Sequence, residues 1–288
     1  MFILVNTVAL LAITFSVTNV FLNFYLTTAI FCKKRVHKKS DFSLIYGKIV
    51  VDMFCSADTS TYLGYFIIRI VDSTIVIKNL SFFIAWPNFN LGTMRCWIVF
   101  FIALDRVLAT CIPISYHNHR SKIPMLAISL FIFGYAIFEY YILFVLCGYV
   151  LDVPLDCTIF RCAVGTCYHD YWKWYQQVMY SSIGTLSVIL FFRLFIWNSC
   201  SKTTNNNKTI SRATRISLID SFIIFAFDFF PVFLTAQWPQ INTNTVGPFG
   251  SLCKSLGFVI ESSIICHFLL GNKKVAPTSL SRTSPMIM

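Results

Sequence analysis

Seven apolar runs, each of about the ~20 residues that a helix needs to cross a bilayer, divide this chain of 288 residues: 2–31, 42–70, 80–112, 125–148, 174–197, 216–238 and 248–270. That division leaves few possible folds. Lipid offers a backbone amide no hydrogen-bond partner, so each run must satisfy its own, and the α-helix is the form that does so within one segment. The expected fold is an all-α membrane protein, a seven-transmembrane helix bundle over residues 1–270 with a short tail at 271–288.

The first run has no basic start, exceeds the ~7 to 15 residues of a signal-peptide core and shows no small-residue cleavage site, so it reads as a spanning helix. The second run is the most polar, with Lys48, Asp52, Asp58 and Arg69. Pairing inside a bundle would allow those groups to be buried there. Composition agrees with lipid as the solvent. Hydrophobic residues are 57% of the chain and charged ones 12%, about half the ~25% charged share of a soluble domain. In water such a chain would expose large apolar patches and aggregate.

The net charge of +11 does not indicate nucleic acid, because Lys and Arg sit in short connections between apolar runs rather than on one water-facing surface. Their distribution instead sets orientation. With the amino terminus outside and the carboxyl terminus cytoplasmic, the inner segments 32–40, 113–124, 198–215 and 271–288 hold fourteen Lys and Arg, and the outer ones hold four. Basic inner connections suit anionic membrane lipid as well as an acidic protein partner.

Ionisable residues at membrane depth are costly and usually face a bundle interior. At ~1.5 Å of rise per residue, Asp52, Arg95, Asp228 and Glu261 lie about 16, 16, 18 and 15 Å from the cytoplasmic end of their runs. They form a candidate ligand or ion cluster near the midplane, in which Arg95 should pair with at least one acid. Three acids against one base leave an excess for a proton, a cation or a basic ligand group. Lys48 and Asp52, at i and i+4, share a helix face and can pair locally. Fixing helix packing is the alternative role for the whole cluster. Aromatic side chains such as Tyr62, Tyr65, Trp86, Phe89 and Tyr140 could line a cavity for a small organic molecule.

Pro87 and Pro231 should mark local bends. Cys157, Cys162 and Cys167 lie in the second outer connection, where an oxidising environment permits a disulfide within the loop or to Cys253. A metal site with His169 is the minor alternative. Asn79-Leu80-Ser81 and Asn207-Lys208-Thr209 are glycosylation triplets, the first almost against the membrane and the second on the cytoplasmic side, so neither is expected to be modified. No H-E-x-x-H motif, G-x-S-x-G elbow or phosphate loop occurs, so no enzyme, metal or cofactor is expected. No internal repeat of the kind frequent in transporters is evident.

The third run ends in Leu104-Asp105-Arg106-Val107, followed by Cys111-Ile112-Pro113-Ile114-Ser115-Tyr116. An acid and an arginine there resemble the Asp/Glu-Arg-Tyr motif of rhodopsin-like receptors. The stretches LDRVLATCIPISYHNHR, SRATRISLIDSFIIFAFDFFPVF and NTVGPFGSLCKSLGFVIES resemble the nematode serpentine chemoreceptors of class BC, and the resemblance runs over nearly the whole chain. It implies a plasma-membrane receptor of sensory neuron endings that takes a small-molecule ligand and signals through a heterotrimeric G protein. It also implies a switch role for Asp105 and Arg106. Arg212 and Arg215, three apart on the inner extension of the sixth run, form the candidate coupling face. Asp220, a turn deeper, is the nearest acid able to lock Arg106; otherwise there is no such lock.

The seventh run lacks Asn-Pro-x-x-Tyr, and Ser81 and Phe82 stand where a bridging cysteine would start the third helix. The usual tie from that helix to the outer loop is therefore not expected. A transporter or a ligand-gated channel built on the midplane cluster is the alternative to a receptor.

Overall fold

The computed structural model of the chain describes residues 2–33, 43–72, 75–120, 125–155, 157, 160–200, 212–238 and 245–270. The basic connections 34–42 and 201–211, with Asn207, and the tail 271–288 lie outside them. Helices make up nearly all of what is described, and no strand occurs among the described residues. In chain order they are α1 (Phe2–Thr27, extended by a π-helical turn at Thr28–Cys32), α2 (Ser43–Val71), α3 (Leu80–Cys111) and α4 (Pro113–Arg120). Then follow α5 (Met125–Tyr141, with a π turn at Ile142–Leu146), α6 (Phe160–Cys200), α7 (Arg212–Ile223), a π segment (Ile224–Phe229), α8 (Phe230–Gln237) and α9 (Phe249–Leu270).

Three stretches, Ile3–Cys32, Met125–Leu146 and Phe249–Leu269, are by length and composition alone apolar enough to cross a membrane. α2, α3 and α6 carry ionisable side chains within theirs. α4 is a short helix in the inner connection that apolar patterning does not announce. α6 begins well before the apolar run at 174 because two helices merge at Gly165. Its φ of +78° is open to glycine and strained for other residues. The piece before it belongs to the outer loop.

Lipid-facing and inward-facing residues separate cleanly on α1. Ile3, Leu10, Phe21 and Phe24 are exposed, while Ala9, Ala12, Ser16, Asn19 and Asn23 are buried at helical spacing. Small and polar residues let backbones approach and bond across a membrane interface. Here α1 packs on α2 and α9. Ser16 and Ser255 hydroxyls lie 2.7 Å apart, Asn19 donates to Ser56 at 2.7 Å, and Asn23 donates to Ser262 at 3.0 Å. α3 is the central helix, in contact with α2, α5, α6 and α7.

Pro231 falls just after the π segment. Proline lacks the N–H that would bond back one turn, so the preceding turn widens. The extra residue has a consequence for Asp220 and Asp228. In a regular α-helix residues eight apart point about 80° away from each other. A π bulge makes the pair equivalent to a seven-residue spacing, about 20° apart, so both carboxylates face the bundle.

α9 meets this element closely. A Cβ on Gly257 would stand 2.8 Å from Phe227 Cβ and 3.2 Å from Ile223 Cγ2. Gly257→Leu should therefore separate α9 from the π segment and destabilise the bundle by about 1–3 kcal/mol or more. A melting temperature in detergent equal to wild type would show that this approach is dispensable.

Candidate functional site

The inward face of α2 carries Lys48 and Asp52 one turn apart. α3 contributes Arg95, α7 contributes Asp220, the π segment Asp228, and α9 contributes Glu261. All six are buried. Arg95 spends its planar fork on three helices at once: Nε donates to Asp52 Oδ1 at 2.9 Å, Nη1 to Asp228 Oδ2 at 3.1 Å and Nη2 to Glu261 Oε2 at 2.9 Å. Its carbon Cζ lies 4.3 Å from the Phe258 ring centroid. Lys48 Nζ donates to Asp52 Oδ2 at 3.0 Å and to Glu261 Oε1, and lies 3.2 Å from Asp220 Oδ1. Asp52 and Glu261 thus each bridge both cations.

The four residues anticipated at one depth are brought together, with Lys48 and Asp220 added. The expected ratio of three acids to one base becomes four to two. Asp220 is not beside Arg106; it is drawn into this cluster, with Arg95 Nη2 3.9 Å away as well. The π bulge accounts for that placement.

At the cytoplasmic end of α3, Arg106 Nη2 lies 3.2 Å from Asp105 Oδ2, and both side chains are about one-tenth exposed. Tyr116 on α4 donates its hydroxyl to Asp105 Oδ1 at 2.6 Å. The side chains of Arg212 and Arg215 lie outside the described residues.

The outer loop is tied by two disulfides, Cys157–Cys162 and Cys147–Cys167. The fourth sulfur comes from the end of the fourth span, which a reading of the loop alone passes over. Cys253 is a free thiol, so the bridge to it does not form. With all three loop cysteines oxidised, His169 has no thiolate neighbour in that loop to share a metal with. α3 is held to the loop by hydrogen bonds instead of a disulfide. Arg69 of α2 donates to Ser81 Oγ at 3.1 Å, to Leu155 O at 2.7 Å and to Cys157 O, and Val153 N donates to Asn79 Oδ1 at 2.9 Å. Tyr149 donates to Ala163 O; burial and the nearby Asp152 charge push its phenol up, which keeps it a donor.

Trp86 is a packed core residue, stacked on Phe82 at 5.7 Å and set against Tyr168 at 4.9 Å. Phe89 contacts Trp172 at 4.7 Å, and Tyr65 lies under Arg69. Tyr140 is nearly half exposed on the outside of α5, beside Trp86.

Two ionisable residues inside the apolar runs were missed by sequence reasoning. Glu139 on α5 is fully buried, accepts from Thr93 Oγ1 at 2.8 Å and can accept from Asn90, whose amide in its satisfied orientation also receives Trp86 Nε1 at 2.9 Å. Lys254 on α9 lies two turns outward of Glu261, with Nζ 5.7 Å from the Phe258 ring centroid. Each was legible as a single charge inside a strongly apolar run.

No characterised protein matches this chain. A family model described as serpentine type 7TM GPCR chemoreceptor Srbc matches residues 1–273, which is nearly everything the bundle contains. The chain belongs to the Srbc family of serpentine seven-transmembrane chemoreceptors.

Proposed function

We propose that this protein is a plasma-membrane chemosensory receptor that binds a small environmental molecule within the helix bundle and activates a heterotrimeric G protein. The observation that carries the reading is one buried charge cluster joining α2, α3, α7, the π segment and α9. It links the helices around a central ligand space to those whose inner ends would meet the G protein. Four carboxylates against two paired cations make the cluster sensitive to any charge added near it, and a ligand that shifts those pairings would bias the bundle between two packings.

In this reading Asp105 and Arg106 are the cytoplasmic switch, and Arg212 and Arg215 belong to the coupling face. The transporter and channel alternatives are not favoured: the chain shows no duplicated halves, and family membership points to a receptor.

The test is nucleotide exchange on a heterotrimeric G protein, in membranes carrying the surface-confirmed protein, across a panel of small odorants. Ligand-dependent exchange above receptor-free membranes is the expected result. Ligand-evoked current or uptake with no exchange would sink the reading and favour the channel or transporter.

A further inference from the structure

Above the charge cluster lies a second polar layer that the cluster does not use. On α2 it holds Asp58, on α3 Asn88 and Gly92, and on α9 Lys254. Asp58, Asn88 and Lys254 stand six or seven residues outward of Asp52, Arg95 and Glu261 on their own helices, about 9–11 Å at ~1.5 Å per residue, and Gly92 stands between the two layers. The spacings 88, 92, 95 and 254, 258, 261 keep each set on one helix face, and the Phe258 ring lies between Arg95 and Lys254 as the apolar floor of the layer.

Lys254 Nζ lies where α3 has no side chain: a Cβ on Gly92 would sit 3.7 Å from it. Among the described residues no carboxylate stands within ion-pair distance of Lys254, although its charge reaches Asp58 and the charge of Asp228 reaches it. Asn88 hydrogen-bonds the Asp58 carboxylate, but Asp58 Oδ2 is shut off from solvent and has no partner among the described residues. Asn88 beside it donates to Thr59 Oγ1 at 2.6 Å. Lys254, Gly92, Asn88 and Asp58 are all partly accessible. Two opposite charges therefore stand in one layer with no ion pair between them among the described residues.

We infer that this layer is a ligand site for a small zwitterion of the amino-acid class, its carboxylate on Lys254 and its ammonium on Asp58. A zwitterion gives Lys254 a counter-charge and Asp58 Oδ2 a donor, and adds no net charge beside a cluster already rich in carboxylates. A simple amine would leave the ammonium of Lys254 facing another cation. A simple carboxylate would face Asp58 and the carboxylates below. Buried charges left without partners are costly, so discrimination between these classes should be strong. The apolar floor of Phe258 suits a short side chain or none.

The inference deepens the receptor reading and rests on it, but binding can be measured without a G protein. The full-length protein in nanodiscs is melted with glycine, alanine, leucine or phenylalanine, and with the N-acetyl and methyl-ester form of each. At least one free amino acid should raise the melting temperature, both of its derivatives should fail, and Lys254→Met and Asp58→Asn should each weaken the effect at least tenfold, with Lys254→Arg retaining part of it. Equal shifts from a free amino acid and its derivatives, or no shift from any of them, overturn the site. Because the derivatives are tested on wild type, misfolded variants do not blur the result. Amino-acid binding without nucleotide exchange would uphold the site and defeat the receptor reading; exchange driven only by uncharged odorants would do the reverse.

Discussion

Arg95→Met is expected to abolish surface arrival of the receptor. The guanidinium is the group on which Asp52, Asp228 and Glu261 converge, and it is buried to 2% exposure. Removing one partner of a buried pair costs about 3–5 kcal/mol, because the other charge stays desolvated and unpaired. Here three carboxylates on three separate elements lose a partner together, and Lys48 already serves three acids. That loss is comparable to the whole stability of many folded domains, about 5–15 kcal/mol. Arg95→Lys should be intermediate, since an ammonium carries the charge without the fork.

A double variant separates charge from shape. Asp228 has its only ion pair among the described residues with Arg95. Arg95→Met combined with Asp228→Asn should thus recover part of the surface level that Arg95→Met alone loses, whereas Arg95→Met with Glu139→Gln should recover none. Surface epitope counts normalised to total protein decide this. Wild-type surface level for Arg95→Met alone would mean that the cluster is hydrated enough to need no guanidinium.

What could be read from the sequence follows from which forces are local. Apolar length and the lack of backbone partners in lipid specify helices without knowledge of neighbours, and the bundle is as expected. Depth along a helix is also local, so Asp52, Arg95, Asp228 and Glu261 could be placed in one layer before any packing was known. Rotation about a helix axis is not local. Asp220 was read as a possible partner of Arg106 because it is the nearest acid along the chain, a turn deeper than Arg215, whereas the π turn before Pro231 places it on one face with Asp228. The Cys147–Cys167 bridge was hidden because Cys147 reads as the end of a span. Lys254 and Glu139 were visible as charges in apolar runs, but their meaning depends on which neighbours they lack or have, and that is a tertiary fact.

Arg106→Ala should abolish G-protein activation while leaving surface level and melting temperature within error of wild type. The contrast with Arg95 comes from position. Arg106 lies at the cytoplasmic rim rather than the midplane, so its loss leaves no charge stranded in lipid. Its pairing with Asp105 at 3.2 Å is between adjacent residues of one helix, which contributes little to holding helices together. In the proposed reading its guanidinium leaves its neighbour for a G-protein surface when the inner ends of the helices part.

On the same proposed reading Tyr116 restrains that switch at rest, since its hydroxyl donates to the other carboxylate oxygen of Asp105 at 2.6 Å. A hydrogen bond to a charged group contributes about 1.5 kcal/mol or more, and 1.4 kcal/mol is a factor of ten in an equilibrium. Tyr116→Phe should therefore raise ligand-free nucleotide exchange by up to about tenfold, and Tyr116→Phe with Arg106→Ala should return it to zero. If Tyr116→Phe left basal exchange unchanged while Arg106→Ala still abolished activation, α4 would be a passive connection and the restraint on Arg106 would have to come from the inner ends of α6 and α7.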